Sequence, residues 1–417
     1  MSKKLKVLVI SDHPFSPSGV GTQTRYMIEG LLQTGDYSFL CFGGAMKHTD
    51  YKPQKTETYG DDLIIYPVDG YGTQDSVRSI LRTEKPDMLW FMTDPRFFGW
   101  LWEIEDEIRA LVPMIYYHVW DNYPYPTFNK VWYDSCDSVV AISKVTQDIV
   151  KNVAPNVDLH YVPHAVSPHY YKPLIDEQIL ELREKAKIKE NQFVVFWNNR
   201  NARRKQSGTL IYWFKKFLEK VGDKNAVLIM HTDPKDANGP DLNAVIENAG
   251  LTDGQVRFSV NRLEFDQLAA MYNIADVTVN ISDAEGFGLG TLESLSCGTP
   301  IIVNMTGGLQ EQVTDGEEWF GVGIEPCSKA VIGSQEIPFI YEDRINEDDF
   351  VDALEKIYNM SKEERKALGK KGAEHVNKKY NFDNFVTKWN VVLRDIHEKF
   401  GSWETRKGYK KWHLGEM

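Results

Sequence analysis

The chain has 417 residues, 42% hydrophobic and 26% charged, a globular composition that excludes a disordered, collagen-like or coiled-coil protein. At about 150 residues per domain, the length accommodates two or three domains. The net charge of −12 excludes general coating of nucleic acid, which needs a dominant basic field, and leaves room only for a local basic groove.

The basic start, Met1–Lys6, runs into an apolar stretch of only Val7–Ile10. That is too short for a signal-peptide core or a membrane span and reads as a first strand. Strands in this half are expected over Lys6–Ser11, Ser38–Phe42, Leu63–Pro67, Asp87–Met92, Met114–His118 and Ser138–Ile142. Helices are expected between them, over Gly21–Gln33, Thr73–Thr83, Phe97–Leu111 and Lys144–Val153. Such alternation predicts βαβ units and a mostly parallel sheet. The aromatic run Phe97–Trp102 soon meets Glu103 and Glu105, so it is expected to pack into a core or a partner rather than a membrane.

Val162–Pro173, with three prolines and little periodicity, reads as a linker. A charged helix near Asp176–Lys187 follows, and the alternation restarts. Strands are expected over Phe193–Asn198, Ala226–His231, Val256–Val260, Val277–Ile281 and Pro300–Val303, with helices such as Gly208–Val221 and Phe265–Ile274. Asp348–Phe400 is helical and charged, and Arg406–Trp412 is a basic stretch with two aromatics, either a solvated tail or a contact for an anionic acceptor. The fold class is therefore α/β, with two doubly wound, Rossmann-like domains facing each other across a cleft, and C-terminal helices. Ligands of such sheets bind beyond the carboxyl ends of the strands. The four cysteines, Cys41, Cys136, Cys297 and Cys327, form no CxxC pair and no Cys/His spacing of a zinc site, which suggests a reducing compartment.

Three stretches carry chemistry. In Ser11–Thr22 a strand passes through a Gly/Ser/Pro loop into a helix, where Gly19 and Gly21 let a ligand approach the backbone and the helix start favours an anion. It is neither GxGxxG nor a P-loop, and a plain tight turn explains it equally well. In Asn198–Ser207, four basic residues follow a strand and open a helix, a placement suited to a diphosphate, with a solvated basic turn as the alternative. The strongest is Asp283–Pro300: a Gly-rich loop follows a strand, a helix begins near Leu289, and Glu285 and Glu293 stand eight apart. Two carboxylates there can accept hydrogen bonds from sugar and ribose hydroxyls while the helix start faces phosphate. In addition, His118–Phe128 is dense in aromatics and prolines after a strand. Its rings can stack on sugars or bases.

Asp283–Pro300 resembles the glutamate-x7-glutamate motif of retaining GT-B glycosyltransferases of glycosyltransferase family 4, the group 1 type. The likeness continues through Gly298–Val303, Gly307-Gly308 and Gln312–Gly316. Arg200 and Lys205 are similar to the family's diphosphate motif, and Val162–Val166 to its segment at the domain junction. Asn199, His164 and Ala165 depart from the usual residues, and His231–Gly239 replaces a short glycine turn.

The resemblance implies an N-terminal acceptor-binding domain over 1–170 and a nucleotide-sugar-binding domain over 171–380. A C-terminal helix and tail over 381–417 is open to packing back on the first domain. It implies a catalytic set of His118, Arg200, Lys205 and Glu285. Arg200 and Lys205 would hold the leaving diphosphate, and Glu285 the donor sugar's hydroxyls, helped by backbone N–H groups of Gly286, Phe287 and Gly288. Glu293 would bind the ribose, and Gly19 and Gly21 would lie near the donor diphosphate or the acceptor. On the acceptor side, Asp121, Tyr123 and Tyr125 are expected to contact the substrate, Asp121 either orienting His118 or binding a hydroxyl.

The implied activity moves a sugar from a nucleotide diphosphate sugar (a UDP-sugar first, GDP-mannose second) to a hydroxyl of a glycan, lipid, protein or modified DNA base, with retention. No cofactor or metal is required, no stable membrane insertion is expected, and the expected location is the cytoplasm. Ser11–Gln23 is similar to glycosyltransferases of tailed phages, which would make that the host cytoplasm. Same-fold alternatives are a nucleotide-sugar epimerase, a glycosyl phosphorylase or a non-catalytic nucleotide-sugar-binding module. A nicotinamide oxidoreductase is disfavoured because the first turn lacks GxGxxG.

Overall fold

The computed structural model describes residues 4–189, 191–222 and 224–410. The chain divides into two units, Met1–His164 with Phe382–Met417, and Ala165–Asn381.

The first unit is built on eight strands: β1 Leu5–Asp12, β2 Tyr37–Gly44, β3 Gln54–Lys55, β4 Leu63–Pro67, β5 Met88–Met92, β6 Met114–His118, β7 Ser138–Ala141 and β8 Asp158–Tyr161. They lie in the order β3-β4-β2-β1-β5-β6-β7-β8, parallel except that β3 runs against β4. The inner strands are buried on both faces, so Val7–Ile10 and Met88–Met92 are unbroken apolar runs rather than alternating ones. From β1 the chain builds outward through β2 and β4, then crosses back to β5 and builds the other way. The reversal lies between β1 and β5, the switch point at which such sheets bind ligands.

The helix Phe382–Phe400 completes this unit. Trp389 is fully buried, 4.8 Å from the Tyr117 ring and 5.8 Å from Trp90. Gly30 admits the helix, since a Cβ there would come within 2.1 Å of Val386.

The single helix expected over Phe97–Leu111 is not formed. A 3-10 turn, Pro95–Phe98, leads into two short helices, Gly99–Trp102 and Glu105–Arg109. Beyond the exposed Glu103 the chain turns so that Ile104 joins Leu101, Trp102 and Ile108 in the core, while Glu105 and Arg109, their side chains only 15% and 13% exposed, satisfy each other at 2.9 Å.

The second unit holds β9 Phe193–Asn198, β10 Ala226–His231, β11 Val256–Ser259, β12 Val277–Asn280, β13 Ile301–Asn304 and β14 Gly321–Ile324. All are parallel, in the order β11-β10-β9-β12-β13-β14. Its core packs Val195 and Trp197 against Leu210, Phe214 and Phe217 of one helix and Phe350, Leu354 and Ile357 of another. The switch point lies between β9 and β12. An antiparallel ribbon, β15 Ser328–Ile332 with β16 Ile340–Arg344, was not foreseen from the sequence. Within Val162–Pro173, the unit boundary falls after His164, and Val166 bridges to Asn381.

Candidate active site

In the second unit, the loops leaving β9 and β12 meet at the switch point. The β9 loop runs through Asn198–Gln206 into the helix Ser207–Val221, and the β12 loop runs through Ile281–Gly288 into the helix Leu289–Ser296. Neither helix has a side chain capping its first turn, so the backbone N–H groups at both starts remain donors for an anion.

Lys205 and Glu285, far apart in sequence, form a direct ion pair between these two loops, and both are buried. Asn280, at the end of β12, also donates to Glu285, at 3.4 Å. Burial pushes the Glu285 carboxyl up, but Lys205 and Arg204 outweigh it and hold it below the usual carboxylate range. Glu285 is thus ionised at neutral pH, an acceptor for hydroxyl groups beside a cation.

Gly288 takes a left-handed conformation (φ +90°), and a Cβ there would strike Leu309 at 2.5 Å. Gln312, fully buried, fixes the loop by donating to the carbonyls of Phe287 (2.6 Å) and Gly288 (3.2 Å). The Gly308 N–H donates to the Glu285 carbonyl at 3.1 Å. The loop Gly286–Gly288 is therefore rigid, as a preorganised donor array requires.

Glu293 lies on a separate chain of hydrogen bonds. Asn198 donates to the Tyr272 hydroxyl at 2.7 Å, which donates to Glu293 at 2.7 Å. Burial raises the Glu293 carboxyl to about 7.

Arg200 does not join Lys205. It is exposed and forks onto Asp236 of the loop after β10, at 2.6 and 3.2 Å. Arg203 and Arg204 stand closer to the Gly-rich loop: Arg204 donates to the Ala284 carbonyl, and Arg203 forks onto Glu342 of β16 at 2.5 and 2.9 Å. Glu342, only 1% exposed, also accepts from Arg344, which in turn lies 3.1 Å from Asp283. Burial raises Asp283 to about 6. The ribbon β15–β16 is thus rooted in the loops that leave β9 and β12. The basic run Arg203–Lys205 was visible in the sequence, but its partner Glu342 was not, because nothing local links residues this far apart.

In the first unit, Gly19 and Gly21 open the helix Gly19–Leu32, whose start is capped by Ser18 accepting from the Gly21 N–H at 2.9 Å. Ser18 in turn donates to Asp12. His118 ends β6 and is fully buried. Its Nε2 hydrogen-bonds the Tyr133 hydroxyl at 2.7 Å, and its Nδ1 has no hydrogen-bond partner. Asp121 therefore does not orient this ring; Tyr133 does. Burial lowers His118 to about 3, so it stays neutral. Tyr123 and Tyr125 both donate to Asp148, at 2.7 and 3.1 Å, which fixes the aromatic loop against the helix Lys144–Val153. Among the described residues no group of three or more His, Cys, Asp or Glu is placed to hold a metal ion, and no helix is long and apolar enough to cross a membrane.

Residues 178–375 match the family described as glycosyl transferases group 1. The alpha-monoglucosyldiacylglycerol synthase of Acholeplasma laidlawii is 25% identical over 197 residues, 45% of this chain and 46% of that protein. The chain thus spans about half the length of the curated relatives it matches. Among solved structures, a sucrose-phosphate synthase from Thermosynechococcus elongatus aligns at a TM-score of 0.74 and 16% identity, over 95% of this chain and 100% of that one. Anabaena HepE in complex with UDP-glucose aligns at 0.68 and 13%, over 94% and 100%. The fold is the GT-B fold of these neighbours, and the domain match supports a transferase.

Proposed function

We propose that this protein, whose residues 178–375 carry the group 1 glycosyltransferase domain, transfers a sugar with retention from a nucleotide diphosphate sugar to a hydroxyl group. The observation that carries the reading is the buried Lys205–Glu285 pair at the β9/β12 switch point, set beside a rigid glycine loop and two uncapped helix starts. A diphosphate needs the cation and the N–H groups, and a sugar needs the carboxylate. A UDP-sugar is the first expectation, supported by the likeness to a protein solved with UDP-glucose, and GDP-mannose the second.

In this reading Lys205, with Arg200 and Arg204 on the same loop, draws charge onto the leaving diphosphate. Glu285 and the N–H groups of Gly286, Phe287 and Gly288 hold the sugar, and Glu293 takes the ribose. The acceptor hydroxyl attacks the anomeric carbon on the face from which the diphosphate departs. The C–O bond to the sugar forms as the old one breaks, and a phosphate oxygen takes the acceptor's proton. Positioning and charge stabilisation carry the catalysis. The first unit binds the acceptor, with Asp121, Tyr123 and Tyr125 on that side, Gly19 and Gly21 near the donor diphosphate or the acceptor, and His118, held by Tyr133, at the end of β6 near the reacting sugar. No metal or cofactor is needed, and the reaction is cytoplasmic.

The test is a panel of nucleotide sugars incubated with the protein, with and without candidate acceptors, following nucleotide diphosphate release. One donor should be consumed, and Lys205→Ala should slow this by about 100-fold or more. Circular dichroism must show the variant folded, because the buried Glu285 loses its nearest cation and keeps only Asn280 at 3.4 Å and Arg204 at 4.0 Å, at a cost of up to about 3–5 kcal/mol. Release of an altered sugar without any acceptor would point to an epimerase, dependence on free phosphate to a phosphorylase, and binding without turnover across the acceptor panel to a sensing module.

A further inference from the structure

The carboxyl ends of β1, β2, β4 and β5 each send an aromatic residue to one surface of the first unit. Phe15 follows β1, His48 and Tyr51 follow β2, Tyr71 follows β4 and Phe97 follows β5. The rings fall into two linked groups. His13, at the root of the first loop, lies 5.8 Å from Phe15 and 6.0 Å from His48, and His48 lies 5.8 Å from Tyr51. Tyr71 lies 5.5 Å from Phe97. The groups are joined through the backbone, where the Ala45 N–H donates to the Gly70 carbonyl at 2.8 Å.

Several of these rings face water: Tyr51 is 53% exposed, Phe97 51% and Phe15 36%. Exposed rings gathered at the carboxyl ends around a sheet's switch point lie where such sheets bind ligands. It is also held ready. Tyr51 donates to Asp69 at 2.6 Å and Tyr71 to Asp12 at 2.9 Å, so ring planes and carboxylates alternate in fixed positions.

We infer that this surface binds the acceptor and that the acceptor presents a neutral saccharide ring; the inference rests on the transferase reading above. A sugar has an apolar C–H face that lies on an aromatic ring and hydroxyl edges that donate to carboxylates, and this surface supplies both. A polyanion is disfavoured. Around these residues Asp12, Asp50, Asp69 and Asp94 offset Lys47, Lys52 and Arg96; Arg96 is spent on Asp94 at 2.9 Å, and Arg25, which lies 5.1 Å from the Phe15 ring, on Glu29 at 2.9 Å. No positive field results, and a DNA phosphate backbone requires one. The hydroxyl acceptor is therefore the end of a glycan or glycoside rather than a base in duplex DNA.

The test uses the intact protein without donor. Saturation-transfer NMR would measure binding of glucose, galactose, mannose, maltose and cellobiose, beside glucose 6-phosphate and a short DNA duplex. At least one neutral sugar should bind, and Tyr51→Ala and Phe97→Ala should each weaken it at least about fivefold. Both positions are half exposed, so the fold survives either change. Tyr212→Ala, at an exposed ring on a helix of the second unit, should leave sugar binding unchanged. Stronger binding of the phosphorylated sugar or of DNA, equal binding by all variants, or no sugar binding at all would each overturn the inference. UDP affinity measured on the same sample separates the two readings: retained UDP binding with no sugar bound removes only this inference, while loss of donor turnover across the nucleotide-sugar panel removes the reading beneath it.

Discussion

Glu293 shows how one buried carboxyl can give the protein a pH signature. Burial raises it to about 7, with the Tyr272 hydrogen bond working against that rise. The folded state therefore holds its proton where the unfolded chain has lost it. The stability this contributes is complete below about 4.5 and is lost as the pH rises through about 7. Glu293→Gln should flatten the fall in stability between about pH 5 and 8, read as denaturant midpoints across that range. Asp283, raised to about 6, acts in the same direction over a lower window. His118 and His164 act oppositely. Burial lowers each to about 3, so the stability they contribute is present above about 6.5 and lost as pH falls toward 3. His118, at the end of β6, is thus a neutral buried group held by Tyr133.

At the scale of elements, the glycine loop and the ribbon decide how firmly the loops after β9 and β12 are held. Gly288→Ala forces a side chain into the left-handed region and against Leu309. It should cost about 1–3 kcal/mol in urea unfolding and weaken nucleotide binding. Glu342→Ala releases Arg203 and leaves Arg344 with Asp283 alone. We expect the donor KM to rise more than kcat falls, and a double-mutant cycle with Arg203→Ala to be clearly non-additive. The central strands of both sheets were legible because their apolar runs are continuous and bounded by turns; Leu63–Pro67, Met114–His118, Phe193–Asn198 and Ala226–His231 begin and end where the pattern does. The ribbon was not legible, because β15 and β16 leave residues such as Val331 exposed and bury the carboxylate Glu342 rather than an apolar face. Of the candidate site, Lys205, Glu285 and the glycines stand in local motifs, and their roles there belong to the proposal. The diversion of Arg200 to Asp236 and the clamp on Arg203 depend on contacts between distant loops, which composition and spacing do not encode.

For the molecule as a whole, the decisive feature is that the first unit is closed by the helix Phe382–Phe400, more than two hundred residues beyond β8. Trp389→Ala, which empties the space between Trp90 and Tyr117, should destabilise that unit by about 3–5 kcal/mol. Ending the chain after Asn381 should leave the second unit resistant to limited proteolysis while the first becomes susceptible. The same connectivity sets an order of events at the ribosome. The second unit has all its residues as soon as Asn381 emerges. The first, though its strands are made earlier, must wait with Trp90 and Tyr117 uncovered until Trp389 arrives. For most of synthesis the nascent chain therefore carries an unfinished hydrophobic face ahead of a unit that folds behind it, and that interval is where chaperones would be expected to engage.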